Sequence, residues 1–160
     1  MATDPLFTAV DHVGIAVPDL DRAIEFYRDT FGMEVLHTET NVEQGVREAM
    51  LGVGAEGGAQ GGTHTRVQLL APLSPESPIA RFIDRSGPGL QQLAYRVTDL
   101  DRVCTTLTAR GVRLLYPQPR RGTAGSRINF IHPKDAGGVL VELVELIDVV
   151  EVVEPVDAAG

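Results

Sequence analysis

The chain has 160 residues, 43% of them hydrophobic and 22% charged, which fits a folded domain with one substantial core or two small coupled ones and excludes a disordered chain. A formal net charge of −8 argues against nucleic acid as a partner, because that requires an excess of cations. No apolar run approaches the roughly 18 residues of a membrane span, the start "MATDPLFTAVDH" lacks the pattern of a signal peptide, and the single Cys104 excludes an internal disulfide and fits a reducing cytoplasm.

Residues His12 to Val17 alternate with β-branched side chains and predict a strand. Pro18-Asp19 breaks it. Leu20, Ala23, Ile24, Tyr27 and Phe31 then fall at helical spacing, and Gly32 supplies the stop. "MEVLHTET" and "GVREAMLGVG" predict a second and a third strand, and beyond the glycine-rich "GAEGGAQGG", "THTRVQLLAP" predicts a fourth. Ser77 as N-cap, Pro78 at the first helical position and Gly87 past the end predict a short connecting helix. From Gln92 the order starts again. A strand runs to Val97, a helix carries Leu100, Val103, Cys104 and Leu107 and ends near Gly111, and strands follow at "VRLLYP", "GSRINFIHP" and "GVLVELVEL". Cys104 falls on the buried face of that helix, a packing position. The tail, residues 149–160, reads as an extra strand that frays into disorder.

The recurrence extends to the residues themselves. "VDHVGIAVPDLDR" (residues 10–22) and "LQQLAYRVTDLDR" (residues 90–102) align without a gap, with Val17/Val97, Asp19/Asp99, Leu20/Leu100, Asp21/Asp101 and Arg22/Arg102 identical. The expected fold class is therefore α+β: two tandem βαβββ modules, about residues 9–73 and 89–148, joined by the short helix in one domain spanning 1–148. A single module leaves one face of a curved mixed sheet bare. Two modules related by a pseudo-twofold enclose a cleft, and repeat-equivalent positions converge on it in pairs.

Two such pairs are polar. His12 matches Gln92 near the start of each first strand, and aligning "TRVQLLAP" with "VLVELVEL" sets Gln68 opposite Glu142. Taken singly, His12 reads as a hydrogen-bonded core or rim histidine, the glutamines as edge residues, and Glu142 as an acid on a wet strand face. Independent residues, however, have no reason to respect the repeat, and an unpaired amide or carboxylate among apolar neighbours is costly to bury. One divalent metal ion bound by His12, Gln68, Gln92 and Glu142 satisfies all four. Gln91 and Gln92 cannot share a face, and the repeat selects Gln92. The donor set is oxygen-rich and carries one negative charge, which suits Co2+, Mn2+, Mg2+ or Zn2+ acting as a Lewis acid. Glu48 in "GVREAML" shares a strand face with Val46 and Met50. Its carboxyl is expected to have a raised pKa suited to proton transfer, against the plainer reading of a surface glutamate.

"DHVGIAVPDLDRAIEFYRDTFGMEV", "SPIARFI" before a glycine turn and "FIHPKDAGGVLVEL" resemble the methylmalonyl-CoA epimerases of the vicinal oxygen chelate superfamily, from about Asp11 to Glu145. The resemblance implies metal-dependent interconversion of (2R)- and (2S)-methylmalonyl-CoA: abstraction of the alpha proton, a metal-stabilised enolate, and reprotonation on the opposite face. It implies Co2+ as the favoured ion, His12, Gln68 and Glu142 at metal-ligand positions, Glu48 as one acid/base residue with Glu142 as the second, and a homodimer. Many relatives read "HH" where this chain reads "QQ", and the Gln92 oxygen remains a usable ligand. For the CoA phosphates the chain offers Arg120, Arg121, Arg127 and Lys134, each of which singly reads as solvated surface charge. Two alternatives compete: a glyoxalase-type isomerase of a glutathione hemithioacetal, and a non-catalytic ligand-sequestering protein of the same fold. The second fits less well, since the chain has no tryptophan to build an aromatic cleft.

Overall fold

The computed structural model describes residues 4–54 and 65–147. In the first module β1 (Ala9–Ala16) leads into α1 (Leu20–Phe31), followed by β2 (Glu34–Asn41), β3 (Val46–Gly52) and β4 (Arg66–Pro72). Helix α2 (Pro78–Ser86) crosses to β5 (Gly89–Arg96), and α3 (Leu100–Ala109), β6 (Arg120–Arg121), β7 (Arg127–Ile131) and β8 (Val141–Glu145) complete the second.

The two modules share one continuous mixed sheet, ordered β2-β3-β4-β1-β5-β8-β7-β6, rather than forming two separate sheets. A pseudo-twofold passes between β1 and β5, which pair antiparallel, while β1 with β4 and β5 with β8 are the matching parallel pairs. The sheet curls into a half-barrel until its two wings face one another. Thr123, between β6 and β7, reaches Glu48 on β3 of the opposite wing.

The repeated "DLDR" explains how each helix starts. Asp19 accepts the Arg22 N–H at 3.1 Å, and Asp99 accepts that of Arg102 at 3.0 Å, so each satisfies a first-turn donor that the helix itself leaves open. The next aspartates are also equivalent. Asp21 pairs with Arg47 of β3 at 2.9 Å and Asp101 with Arg127 of β7 at 3.0 Å. These exposed pairs contribute little energy, but they tie the same helix end to the same strand in both modules.

Core packing separates the two faces of the sheet. Leu20 and the flanking Ala23, Ile24 and Tyr27 of α1 pack on Ala49, Leu51 and Leu69, while Leu100, Val103 and Leu107 of α3 pack on Ile131, Val141 and Leu143. Strand alternation sends the intervening residues to the concave face. There Ala16, Val46 and Leu70 meet Ile79 of α2, and Ala94, Ile128, Phe130 and Val144 form the matching cluster. Cys104 is half-buried against the α3 cluster, and burial pushes its thiol pKa up, which suppresses reactivity as expected of a packing residue.

The second module is less regular than the repeat predicts. "VRLLYP" forms no strand: Leu114 makes an isolated bridge to Ile131, and Leu115 donates to the Phe130 carbonyl at 2.8 Å. Next, the Asn129 side chain takes both backbone groups of Tyr116, accepting its N–H at 3.2 Å and donating to its carbonyl at 3.0 Å. Pro117 and Pro119 lack the N–H that would continue the ladder, so pairing resumes only for the two residues of β6. The first strand starts earlier than its periodicity predicts, at Ala9, which places His12 within it. Most of the glycine-rich loop and the tail expected to form an extra strand lie outside the described residues. Among the described residues no helix is long and apolar enough to cross a membrane.

Candidate active site

The four residues singled out by the repeat come from the four central strands: Gln68 from β4, His12 from β1, Gln92 from β5 and Glu142 from β8. Their head groups meet in the cleft. Gln92 Nε2 donates to Glu142 Oε2 at 2.6 Å and to Gln68 Oε1 at 3.1 Å, and it lies 3.5 Å from His12 Nε2. His12 Nε2 is in turn 3.1 Å from Glu142 Oε2. His12, Gln68 and Glu142 are each at most 5% exposed.

Gly14 makes this convergence possible. It pairs with Gln68 on one side and Gln92 on the other, and a Cβ at Gly14 would fall 2.3 Å from Gln92 Cγ. Only a residue without a side chain lets Gln92 lie across β1. Gly14→Ala is expected to swing Gln92 away from Gln68 and Glu142 and to cost about 1–3 kcal/mol, the usual range for overpacking. Thermal melting would read the cost, and faster exchange of the Gln92 side-chain amide protons with solvent would report the lost contacts.

Behind His12 lies a buried charge cluster. The β1–β5 register shifts between Val10 and His12, an irregularity of the kind that re-aims side chains. Asp11 Oδ2 sits 2.7 Å from His12 Nδ1, Arg66 Nη2 lies 3.3 Å from both Asp11 oxygens, and Arg96 Nη2 is 2.9 Å from Asp11 Oδ1. Burial alone would raise the Asp11 pKa. The His12 hydrogen bond, with the charges of His12 and Arg66 and the Arg96 hydrogen bond, outweighs burial and holds it at about 2. Burial would likewise lower His12, but the Glu142 charge and the contacts to Asp11 and Glu142 push it up to about 9. With Nδ1 held by Asp11, Nε2 is the nitrogen presented to the cleft.

Glu48, 4% exposed, stands beside this group. Gln68 Nε2 donates to its Oε2 at 3.0 Å, and the Thr123 hydroxyl donates to its Oε1. Thr123 also accepts from Gln68 Nε2 at 3.0 Å. Burial raises the Glu48 pKa to about 7; the Thr123 hydrogen bond opposes that shift, while the charges of Glu39 and Glu142 add to it. A carboxyl balanced there can either take or give a proton near neutral pH. Above it opens a cavity of about 160 Å³ with apolar walls that include Val46, Leu70, Ile79, Leu115 and Phe130. Its repeat mate Ile128 lines the same cavity, so the two wings present a carboxyl on one side and a methyl surface on the other.

Does this donor set suit a cation? Among the described residues no three histidine, cysteine, aspartate or glutamate side chains are placed to hold a metal ion by themselves, so any ion must rely on amide oxygens as well. The contact pattern fits that. The Gln92 amide nitrogen, the positive end of its group, faces Glu142 Oε2, Gln68 Oε1 and His12 Nε2 together. A divalent ion held among these groups would draw on Glu142, Gln68 and His12, and the Gln92 amide, turned over, would offer its oxygen as the fourth donor.

Several neighbours escaped sequence reasoning. Asp11 precedes His12 directly, and Arg96 and Arg66 lie on adjacent strands, but only the register shows that all three meet. Thr123 sits within "PQPRRGTAGSR", a segment that read as a source of phosphate donors; nothing in its composition marks a hydroxyl aimed across the cleft. Of the arginines there, Arg127 is engaged by Asp101 and Glu145, and Arg120 lies over the Tyr116 ring at 3.9 Å.

Residues 11–130 match the family described as the glyoxalase/bleomycin resistance protein/dioxygenase superfamily. The crystal structure of methylmalonyl-CoA epimerase from Mycobacterium tuberculosis is 56% identical in sequence, with a TM-score of 0.83 over 92% of this chain and 93% of that one. A methylmalonyl-CoA epimerase solved in complex with methylmalonyl-CoA and NH4+ is 46% identical, with a TM-score of 0.83 over 89% of this chain and 97% of that one. The ethylmalonyl-CoA/methylmalonyl-CoA epimerase of Cereibacter sphaeroides is 35% identical over 136 residues, 84% of this chain and 95% of its own.

Proposed function

The chain belongs to the glyoxalase/bleomycin resistance protein/dioxygenase superfamily, alongside its methylmalonyl-CoA epimerases, and on that premise we propose that it interconverts the (2R) and (2S) epimers of methylmalonyl-CoA. It is an isomerase that moves one proton. The observation that carries this reading is Glu48, a buried carboxyl poised at about pH 7 beside four converging donors and under an apolar chamber that suits an acyl group.

The donors His12, Gln68, Gln92 and Glu142 would hold one divalent ion, Co2+ in the first place and Mn2+, Mg2+ or Zn2+ otherwise, which supplies Lewis acidity toward the thioester and carboxylate oxygens. Glu48 takes the alpha proton from one face, and the C–H electron pair passes into the enolate of the thioester. Glu142, on the opposite wing, is the proton carrier for the other face; its contacts to His12 and Gln92 both fall on Oε2, so neither uses Oε1. In the reverse direction the two glutamates exchange roles. Thr123 and Gln68 hold the two Glu48 oxygens and so fix the direction of proton transfer. With an acyl group filling the chamber, its apolar walls would limit the water able to protonate the enolate.

The same reading makes the chain a homodimer, in which the edge strands β2 and β6 offer unpaired ladders, and places it in a reducing compartment such as the cytoplasm. The deciding experiment follows the alpha proton of methylmalonyl-CoA by NMR in deuterium oxide. Exchange and epimerisation are expected, with loss on chelation and recovery on adding Co2+. A protein that exchanges no alpha hydrogen under any metal would sink the proposal.

A further inference from the structure

The segment between β6 and β7 is a strap, Thr123–Gly125, carried by the second module and fastened to the first at two points. One fastening is Thr123, whose hydroxyl donates to Glu48 and accepts from Gln68. The other is the neighbouring Ala124, whose N–H donates to Glu39 Oε2 on β2 at 3.0 Å. Glu39 and Glu48 are register partners on β2 and β3, so the two fastenings sit side by side. Glu39 itself is steadied by His37, with Nε2 2.5 Å from Glu39 Oε2.

Ala124 has φ 54° and ψ 33°, and among the described residues it alone, glycines apart, has a positive φ. That conformation is unfavourable for a residue with a Cβ and persists only where surrounding contacts impose it. The Glu39 carboxylate is the contact that receives its N–H. The turn itself is closed by backbone bonds, Ser126 N–H to the Thr123 carbonyl at 3.1 Å and Gly122 N–H to the Ser126 carbonyl at 2.8 Å. Without the Glu39 acceptor it loses its tie to β2, and the Thr123 hydroxyl is no longer held in place against Glu48 from that side.

We infer that Glu39 is a positioning residue: by holding the Ala124 N–H it fastens the strap's turn to β2 and so seats Thr123 on Glu48. This rests on the reading of Glu48 as proton carrier, but it assigns a role to a side chain outside the cavity that opens over Glu48. His37 and Glu39 form a pair on the outer wing. Glu39 also adds its charge at Glu48, and the positioning effect inferred here is the part that passes through the Ala124 backbone, which the uncharged Glu39→Gln keeps.

The test is a double-mutant cycle in the metal-loaded enzyme, with kcat and KM measured for each variant. Glu39→Ala is expected to lower kcat about ten-fold or more with KM within about two-fold, the pattern of a misaimed group rather than a lost binding contact. Glu39→Gln, which keeps an oxygen for the Ala124 N–H, is expected to restore most of the rate. Combining Glu39→Ala with Thr123→Val is expected to cost little beyond Thr123→Val alone, because the first change acts through the hydroxyl that the second removes. Hydrogen exchange gives a readout independent of turnover: the Ala124 amide is expected to be protected in wild type and in Glu39→Gln, and unprotected in Glu39→Ala. Additive effects in the cycle, or an Ala124 amide equally protected in Glu39→Ala, would overturn the inference. Glu48→Gln, assayed alongside, separates this from the parent reading. Its inactivity beside a fully active Glu39→Ala overturns the positioning role alone, whereas full activity of Glu48→Gln overturns both.

Discussion

Glu48→Gln is expected to lower epimerisation by about 10²- to 10⁴-fold, the range for removing a positioned general acid–base group, with little loss of bound metal. The two epimers are then expected to behave differently. The one whose alpha proton faces Glu48 should lose solvent exchange, while the other can still exchange with retention through Glu142. In deuterium oxide the variant would therefore label one epimer without inverting it. Labelling of both at the wild-type rate would remove Glu48 from the mechanism.

The same substitution has a stability signature with a defined sign. Glu48 has an ordinary value of 4.5 and is raised to about 7 by burial, so the folded state binds a proton that the unfolded state has already released between those values. Wild type should lose stability as pH rises from 4.5 through 7, and the glutamine variant, which has no proton to lose there, should not. The stability of Glu48→Gln relative to wild type is thus expected to grow by up to about 3 kcal/mol across that window and then level off. The altered hydrogen bond to Gln68 adds only a fixed offset. Urea denaturation of both proteins at a series of pH values would read the difference, and a flat line would show that Glu48 titrates normally. An active-site carboxyl that destabilises the fold at working pH is the expected cost of holding a proton in an apolar cleft.

Asp11→Ala should produce the largest loss of stability. The carboxylate is 1% exposed and faces His12, Arg66 and Arg96 together. Removing it deletes the carboxylate that three cationic groups of a buried cluster share, and breaking a buried ion pair in this way typically costs about 3–5 kcal/mol. For a chain of this length that corresponds to a fall in melting temperature of roughly 10 °C. It should also release the His12 ring and lower divalent-metal affinity about 10- to 100-fold, as for other outer partners of ligand histidines. Asp11→Asn retains an oxygen for His12 Nδ1 while deleting the charge, so it is expected to keep more of the metal affinity than of the stability. Equal losses from both substitutions would show that charge alone, and not ring orientation, is what Asp11 supplies.

The repeat was legible without any structure because its signals are local. "DLDR" caps two helices through bonds to residues three positions away, and the apolar spacing of α1 and α3 follows from the helical period. Alignment of the two copies also paired His12 with Gln92 and Gln68 with Glu142, since a pseudo-twofold turns equal sequence offset into nearness in space. "VRLLYP" read as a strand for the same local reasons and failed because the Asn129 side chain on β7 takes the Tyr116 backbone groups that the ladder would use, which is a property of its pairing rather than of its own spacing.

What only the tertiary structure decided is contact across the curl of the sheet. Asp11 gains Arg66 and Arg96 through the registers of β4 and β5, Gln92 can cross β1 because Gly14 leaves the space, and Thr123 and Ala124 reach Glu48 and Glu39 from the far wing. Sequence by itself determined the two modules, their helices and the four residues related by symmetry. The partners that set proton positions came from closure, because a hydrogen bond between residues 75 or more positions apart depends on how far the sheet bends, and no short stretch of the chain encodes that angle.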